Sequence, residues 1–161
     1  MNVLLIDDES SITDAIQDRL SEFVPGKRFQ CFCETDVANN FYYALDYLED
    51  QEPAYDLIIS DLLMPGHGLD DILNYDQGTV LTGWFFLYHY ILRPDGQYHD
   101  KYKNTKIIVF SAYRAELEQY MKMNNLQAFK DRIIFIEKGY IYNDAGGFVK
   151  LMQTVESLFT S

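Results

Sequence analysis

Four points in the chain carry side chains whose types suit work on a charged oxygen group: the pair Asp7-Asp8, then Asp61, Ser111 and Lys138. Each stands at the end of an apolar run: Val3-Leu-Leu-Ile6, Leu57-Ile-Ile-Ser60, Ile107-Ile-Val-Phe110 and Ile133-Ile-Phe-Ile136. An unpaired carboxylate at the end of a buried strand is costly, so these acids need partners. Three carboxylates brought together repel one another and raise their own pKa values unless a cation lies among them. Oxygen donors without histidine or cysteine favour a hard ion, Mg²⁺ (or Mn²⁺), where phosphate chemistry is at hand. On this reading Asp7 and Asp8 hold the metal, and Asp61 is both ligand and nucleophile. A carboxylate can attack a phosphoryl group to give an acyl phosphate. What remains is to stabilise the charge on three equatorial oxygens. The metal takes one, the Ser111 hydroxyl with the Ala112 amide a second, and the Lys138 ammonium the third.

Positioning these groups requires strands that end at one place. Val3–Ile6 reads as a first strand, followed by an acidic turn and a helix with Ile12, Ala15, Ile16, Leu20 and Phe23 on one face. After Pro25-Gly26, Phe29–Thr35 reads as a second strand and Asp36 to Asp50 as a helix. The third strand runs into Asp61 and is stopped by Met64-Pro65. Lys106–Ser111 and Arg132–Lys138 read as the fourth and fifth strands, continuous apolar runs of the kind parallel strands covered on both faces show. Helices are expected at Thr82 to Leu92, Ala115 to Phe129 and Ala145 to Phe159. Between the third strand and its helix, residues 66–81 form an insertion rich in glycine and aspartate, and an extended loop covers 93–105. Five βα units in series predict an α/β, doubly wound, five-stranded parallel sheet, spanning 1–161 as a single domain with an enlarged connection between strands three and four. In such a sheet the strand carboxyl ends meet where strand order reverses, which is where ligands bind.

The motifs Ile6-Asp-Asp-Glu9, Asp61-Leu-Leu-Met-Pro65, Val109-Phe-Ser-Ala112 and Ile136-Glu-Lys138, in this order, resemble the receiver domain of two-component response regulators, the CheY-like superfamily with its flavodoxin-like (βα)₅ fold. The resemblance covers essentially the whole chain. It implies that Asp61 is the phosphoacceptor, Asp7 and Asp8 the acidic pair, Ser111 the switch hydroxyl and Lys138 the phosphate-binding lysine. It further implies that the Leu63 carbonyl completes the metal site and that Phe135 is the aromatic that moves with Ser111. The implied phosphodonor is a sensor histidine kinase or a histidine phosphotransfer protein; the output is a downstream protein target, with a homodimer as one possible form. Departures are equally specific. Gly139 follows the lysine where receivers commonly have proline, and the family's glycine aligns with Gly83, or in an alternative alignment with Gly68 ahead of a helix from Leu69. Leu63 and Tyr113, two residues beyond Asp61 and Ser111, are bulky, and are expected to screen an acyl phosphate from water.

Taken singly, these residues have plainer readings. Asp7 and Asp8 could cap a helix start, and Ser111 and Lys138 could be a strand-end hydroxyl and a snorkelling lysine; only the set lifts them. A receiver-like interaction module that is never phosphorylated is the competing class. A metal-dependent hydrolase is disfavoured because no general base beyond these carboxylates is evident. The net charge of −12 repels nucleic-acid phosphates and anionic lipid, so no direct nucleic-acid or membrane partner is expected. The amino terminus lacks the basic region of a signal peptide, and Cys31 and Cys33, alone, are too few for a zinc site. A cytoplasmic protein with reduced thiols follows. His67, His89 and His99 read as solvated or packed, and Trp84–Leu92, apolar nearly all round, as core or partner surface.

Overall fold

The apolar runs become the strands of one sheet in a computed structural model that describes residues 1–21, 34–64, 81–139 and 145–159. β1 (Asn2–Ile6), β2 (Glu34–Ala38), β3 (Leu57–Ser60), β4 (Lys106–Ser111) and β5 (Ile134–Glu137) lie in the order β2-β1-β3-β4-β5. Every neighbouring pair is parallel. The expected doubly wound sheet is therefore present, and its strand order reverses between β1 and β3, the strands that lead into Asp7 and Asp61.

Side-chain alternation along each strand divides the core into two layers. On one face Val3, Leu5, Leu57, Ile59, Ile108, Phe110 and Ile136 pack with Ile12, Ile16 and Leu20 of α1 (Ser10–Ser21) and with Leu151 and Val155 of α6 (Ala145–Phe159). On the other, Leu4, Ile6, Ile58, Ile107 and Val109 meet α2 (Phe41–Asp50), α3 (Thr82–Leu87), α4 (His99–Tyr102) and α5 (Arg114–Met123). Each fully buried aliphatic side chain contributes about 1.5–3 kcal/mol to holding these layers together. No helix among the described residues is long and apolar enough to cross a membrane.

Several boundaries differ from those expected. The described second strand begins at Glu34, later than the Phe29 start read from apolar alternation; residues 29–33 lie outside the described ones, as do Cys31 and Cys33. β2 is an edge strand, and Glu34, Thr35 and Asp36 are tolerated there because one side of it faces solvent. The helix expected from Asp36 accordingly starts at Phe41, capped by Asn40, whose side chain accepts the Tyr43 N–H at 3.1 Å. α5 stops at Met123 rather than running to Phe129, because Asn125 takes a left-handed φ of 56°, and a 3₁₀ turn follows over Gln127–Arg132. The helix expected over 82–92 is present as α3 continued by a π-helical turn, Tyr88–Leu92, and its aromatic run is core. The extended loop 93–105 is not wholly irregular, since it contains α4. Of the insertion 66–81, residues 66–80, with His67 and the Gly68 alternative, lie outside the described residues.

Candidate functional site

The site is assembled by hydrogen bonds that carry the sheet one residue past its strands. Asp7 donates its N–H to the Ala38 carbonyl at 3.1 Å, Asp61 to Ile6 at 2.9 Å and Lys138 to Ser111 at 3.1 Å. Asp7, Asp61, Ser111 and Lys138 thus leave the same edge of the sheet, Lys138 bonded to Ser111 and the two acids to the ends of the neighbouring strands.

Lys138 is the hub. Its Nζ donates to Asp7 Oδ2 and Asp61 Oδ2, each at 2.9 Å, and to Glu9 Oε1 at 3.2 Å. The side chains of Lys138, Asp7 and Asp61 are only 8, 7 and 7% exposed, so these are desolvated charges whose mutual contacts offset a large burial cost. Burial by itself would push the ammonium down, but the charges of Asp61 and Asp7 and the bonds to both outweigh it and hold Lys138 above the ordinary lysine range. For Asp7 burial wins, and its carboxyl is pushed up to about 6 against the lowering influence of Lys138. Asp7 Oδ1 accepts the Glu9 N–H at 2.9 Å. Asp61 Oδ1 accepts the N–H groups of Leu62 and Leu63 at 2.6 and 3.3 Å, which leaves Oδ2 facing Lys138.

The donor set suits a hard cation. Carboxylate oxygens of Asp7, Glu9 and Asp61 lie within 4.8 Å of one another, close enough to converge on one small ion with oxygen ligands at about 2.1 Å. One ammonium faces three acids there, so negative charge is left over for a metal to neutralise. Asp8 stands exposed beside this trio, its carboxyl pushed up by partial burial and then by the charges of Asp61 and Glu9. Leu63, two residues beyond Asp61, is 40% exposed. The Ser111 hydroxyl is fully buried and has no hydrogen-bond partner among the described residues. A buried hydroxyl left unpaired costs about 1–3 kcal/mol, so this one is poised for an acceptor. Phe135 pairs in register with Val109, two residues before Ser111, and its half-buried ring lies under the Arg114 guanidinium, 5.4 Å from its centroid. Tyr113 is partly buried against the aromatic layer. Lys138–Gly139 is trans, the cis peptide bond among the described residues being Glu52–Pro53. His89 and His99 are engaged away from the site, with Arg93 and the Ile91 carbonyl.

Three participants escape a reading of the sequence. Glu9 was visible only as the third acid of an acidic turn. Gly147 lets α6 approach the lysine loop; a Cβ there would lie 2.5 Å from the Glu137 carbonyl oxygen and 2.9 Å from the Gly139 nitrogen. Thr82 ties down the loop after Asp61, and its one signal was its place before the family's aligned glycine. Gly83 itself sits so close to the Asp61 carbonyl that a Cβ would overlap it, so this position requires glycine.

No protein-family model matches the chain, and no curated protein matches it in sequence. Solved structures do. The signal receiver domain of an HD domain-containing protein from Pseudomonas fluorescens Pf-5 aligns with a TM-score of 0.54 at 18% identity, over 99% of this chain and 98% of that one. A response regulator receiver domain protein from Clostridium thermocellum aligns at 0.53 and 17%, over 98% and 94%. The phosphorylated cyanobacterial phytochrome response regulator RcpA aligns at 0.56 and 17%, over 98% and 89%. The chain therefore has the fold of response regulator receiver domains from end to end.

Proposed function

We propose that this protein is a phosphorylatable receiver: it accepts a phosphoryl group on Asp61 from a phosphohistidine donor and thereby switches a protein-interaction surface. The observation that carries the reading is the buried Lys138 ammonium bridging Asp7 and Asp61 at 2.9 Å each, at the strand edge that also bears the unpartnered Ser111 hydroxyl. Asp7, Glu9 and Asp61 would hold Mg²⁺ or Mn²⁺, with Asp8 beside them and the Leu63 carbonyl as a further oxygen. When bound, the ion supplies positive charge against the crowded carboxylates and the phosphoryl oxygens.

Asp61 Oδ2 forms the new O–P bond while the N–P bond of the donor breaks, and the departing imidazole nitrogen takes a proton from solvent. Lys138 shifts from Asp61 Oδ2 to a phosphoryl oxygen, keeping its bonds to Asp7 and Glu9. Ser111 turns its free hydroxyl to a second phosphoryl oxygen, and Phe135 follows into the space this opens. The donor is a sensor histidine kinase or a histidine phosphotransfer protein, the target a cytoplasmic protein, and nucleic acid is not contacted directly. The test is intact mass after incubation with Mg²⁺ and a small phosphodonor such as acetyl phosphate. One added phosphate is expected on the wild type, none after chelation of the metal and none on Asp61→Asn. A wild type that stays unmodified, or an adduct that persists on Asp61→Asn, sinks the reading.

A further inference from the structure

Thr82 stands in the first turn of α3 and is fully buried, yet its hydroxyl caps nothing in its own helix. It is spent on the loop that follows Asp61. Thr82 Oγ1 accepts the Met64 N–H at 2.9 Å and lies 3.0 Å from the Leu62 carbonyl oxygen and 2.8 Å from that of Met64. A hydroxyl has one proton, so it serves one of those carbonyls at a time. The Leu62 carbonyl has a second donor in the Gly83 N–H at 2.9 Å. Leu63, between these tied residues, gives its own N–H to Asp61 Oδ1.

We infer that Thr82 is a positioning residue for the phosphoryl-transfer site. Its hydroxyl fixes the backbone of 62–64, so that two N–H groups hold Asp61 Oδ1, Oδ2 is presented to Lys138, and the Leu63 carbonyl is held where a metal ligand is needed. The clamp joins Met64 directly to Thr82, a residue 18 positions further along the chain. This inference rests on the receiver reading above.

Thr82→Val keeps the side-chain shape and removes the hydroxyl, leaving the buried Met64 N–H without its acceptor. Thr82→Ser keeps the hydroxyl. Calorimetric titration with Mg²⁺, at a temperature where each variant is folded by circular dichroism, should find Thr82→Val weaker by about tenfold, the size of one buried hydrogen bond, and Thr82→Ser within about twofold of wild type. The rate of adduct formation should fall in the same order. A role confined to stability would lower the melting temperature of Thr82→Val and leave its Mg²⁺ affinity and adduct rate at the wild-type values, and that result overturns the inference. Amide exchange on the wild type gives a check that needs no variant: Met64 N–H should exchange as slowly as the amides of β3, and free-chain exchange overturns the clamp. A wild type that takes up neither Mg²⁺ nor phosphate overturns the receiver reading and this inference together. A wild type that takes up both while Thr82→Val matches it overturns this inference alone.

Discussion

The charged edge of the sheet and the aromatic layer beneath it are built to different constraints. At the edge a few groups sit at fixed hydrogen-bond distances, and Lys138 answers to three acids at once. In the layer, large rings fill volume: Phe41 stacks on Phe86 with centroids 5.0 Å apart, Trp84 on Tyr88 at 5.9 Å and Tyr55 on Tyr102 at 6.1 Å, while Phe85 and Tyr120 meet edge to face at 5.3 Å. The opposite face of the sheet is mostly aliphatic. Charge fixes position within tenths of an ångström, whereas a core accepts many fillings of similar volume. The aromatic layer with α4 accordingly fills volume, while the charged groups gather at the edge. The two regions meet at Thr82-Gly83.

Breaking that seam should have the largest effect. A methyl group on Gly83 overlaps the Asp61 carbonyl, a backbone atom that can retreat only by moving Asp61 or α3. Gly83→Ala should cost about 3 kcal/mol or more, at the upper end of overpacking penalties, and abolish adduct formation at Asp61. Urea unfolding and intact mass measure the two losses. An alanine variant that unfolds and is phosphorylated like wild type would mean that edge and layer are mechanically independent.

The difference between the regions also explains what could be read from the sequence. Asp7, Asp61, Ser111 and Lys138 were legible because each interrupts the end of an apolar run, a local signal, and parallel strands bring such ends together. The closing helix over 145–159 was legible from its periodicity. The second strand was expected too, but its end was not, because β2 runs on through Asp36 to Ala38 where the helix was read to begin. Nor was the end of α5, which turns on a single left-handed asparagine. The reach of Glu9 to Lys138 and of Thr82 to Met64 joins residues distant in sequence through one side-chain atom, and no pattern of neighbours records that. The role of α4 was hidden for the same reason.

At the edge, pH should separate charge from packing. Burial raises the Asp7 carboxyl from 3.8 to about 6 in the folded protein. The native state therefore holds a proton that the unfolded chain has already released, and stability falls as pH rises from about 4 to about 6. Without a divalent ion the loss above that window is on the order of 3 kcal/mol. Asp7→Asn carries no such proton, so the wild type should lose stability relative to the variant between pH 4 and 6 and hold a constant deficit above. Mg²⁺ at pH 7 should recover the wild type, because a metal takes the ionised carboxylate, and should leave the variant nearly unchanged. Denaturation midpoints across pH, with and without Mg²⁺, give both results. Parallel curves for the two proteins would place the cost of burial elsewhere than Asp7.

In the aromatic layer the smallest effect should come from one oxygen. The last carbonyls of α2 have no partner within the helix, and α4 supplies them. Tyr102 donates its hydroxyl to the Leu48 carbonyl at 2.8 Å, while Lys101 Nζ reaches Leu48 and Glu49 at 3.0 and 2.9 Å. The element within the extended loop is thus a cap for a neighbouring helix as well as filler for the core. Tyr102→Phe keeps the ring and its stack on Tyr55, and Lys101 still serves Leu48, so the cost should be about 1 kcal/mol, that of one hydrogen bond. Mg²⁺ affinity and the yield of the Asp61 adduct should stay at wild-type values, because no bond of the clamp or the lysine hub passes through α4. A phenylalanine variant that kept its stability but lost Mg²⁺ affinity would reverse the comparison, making the aromatic layer part of the site rather than its support.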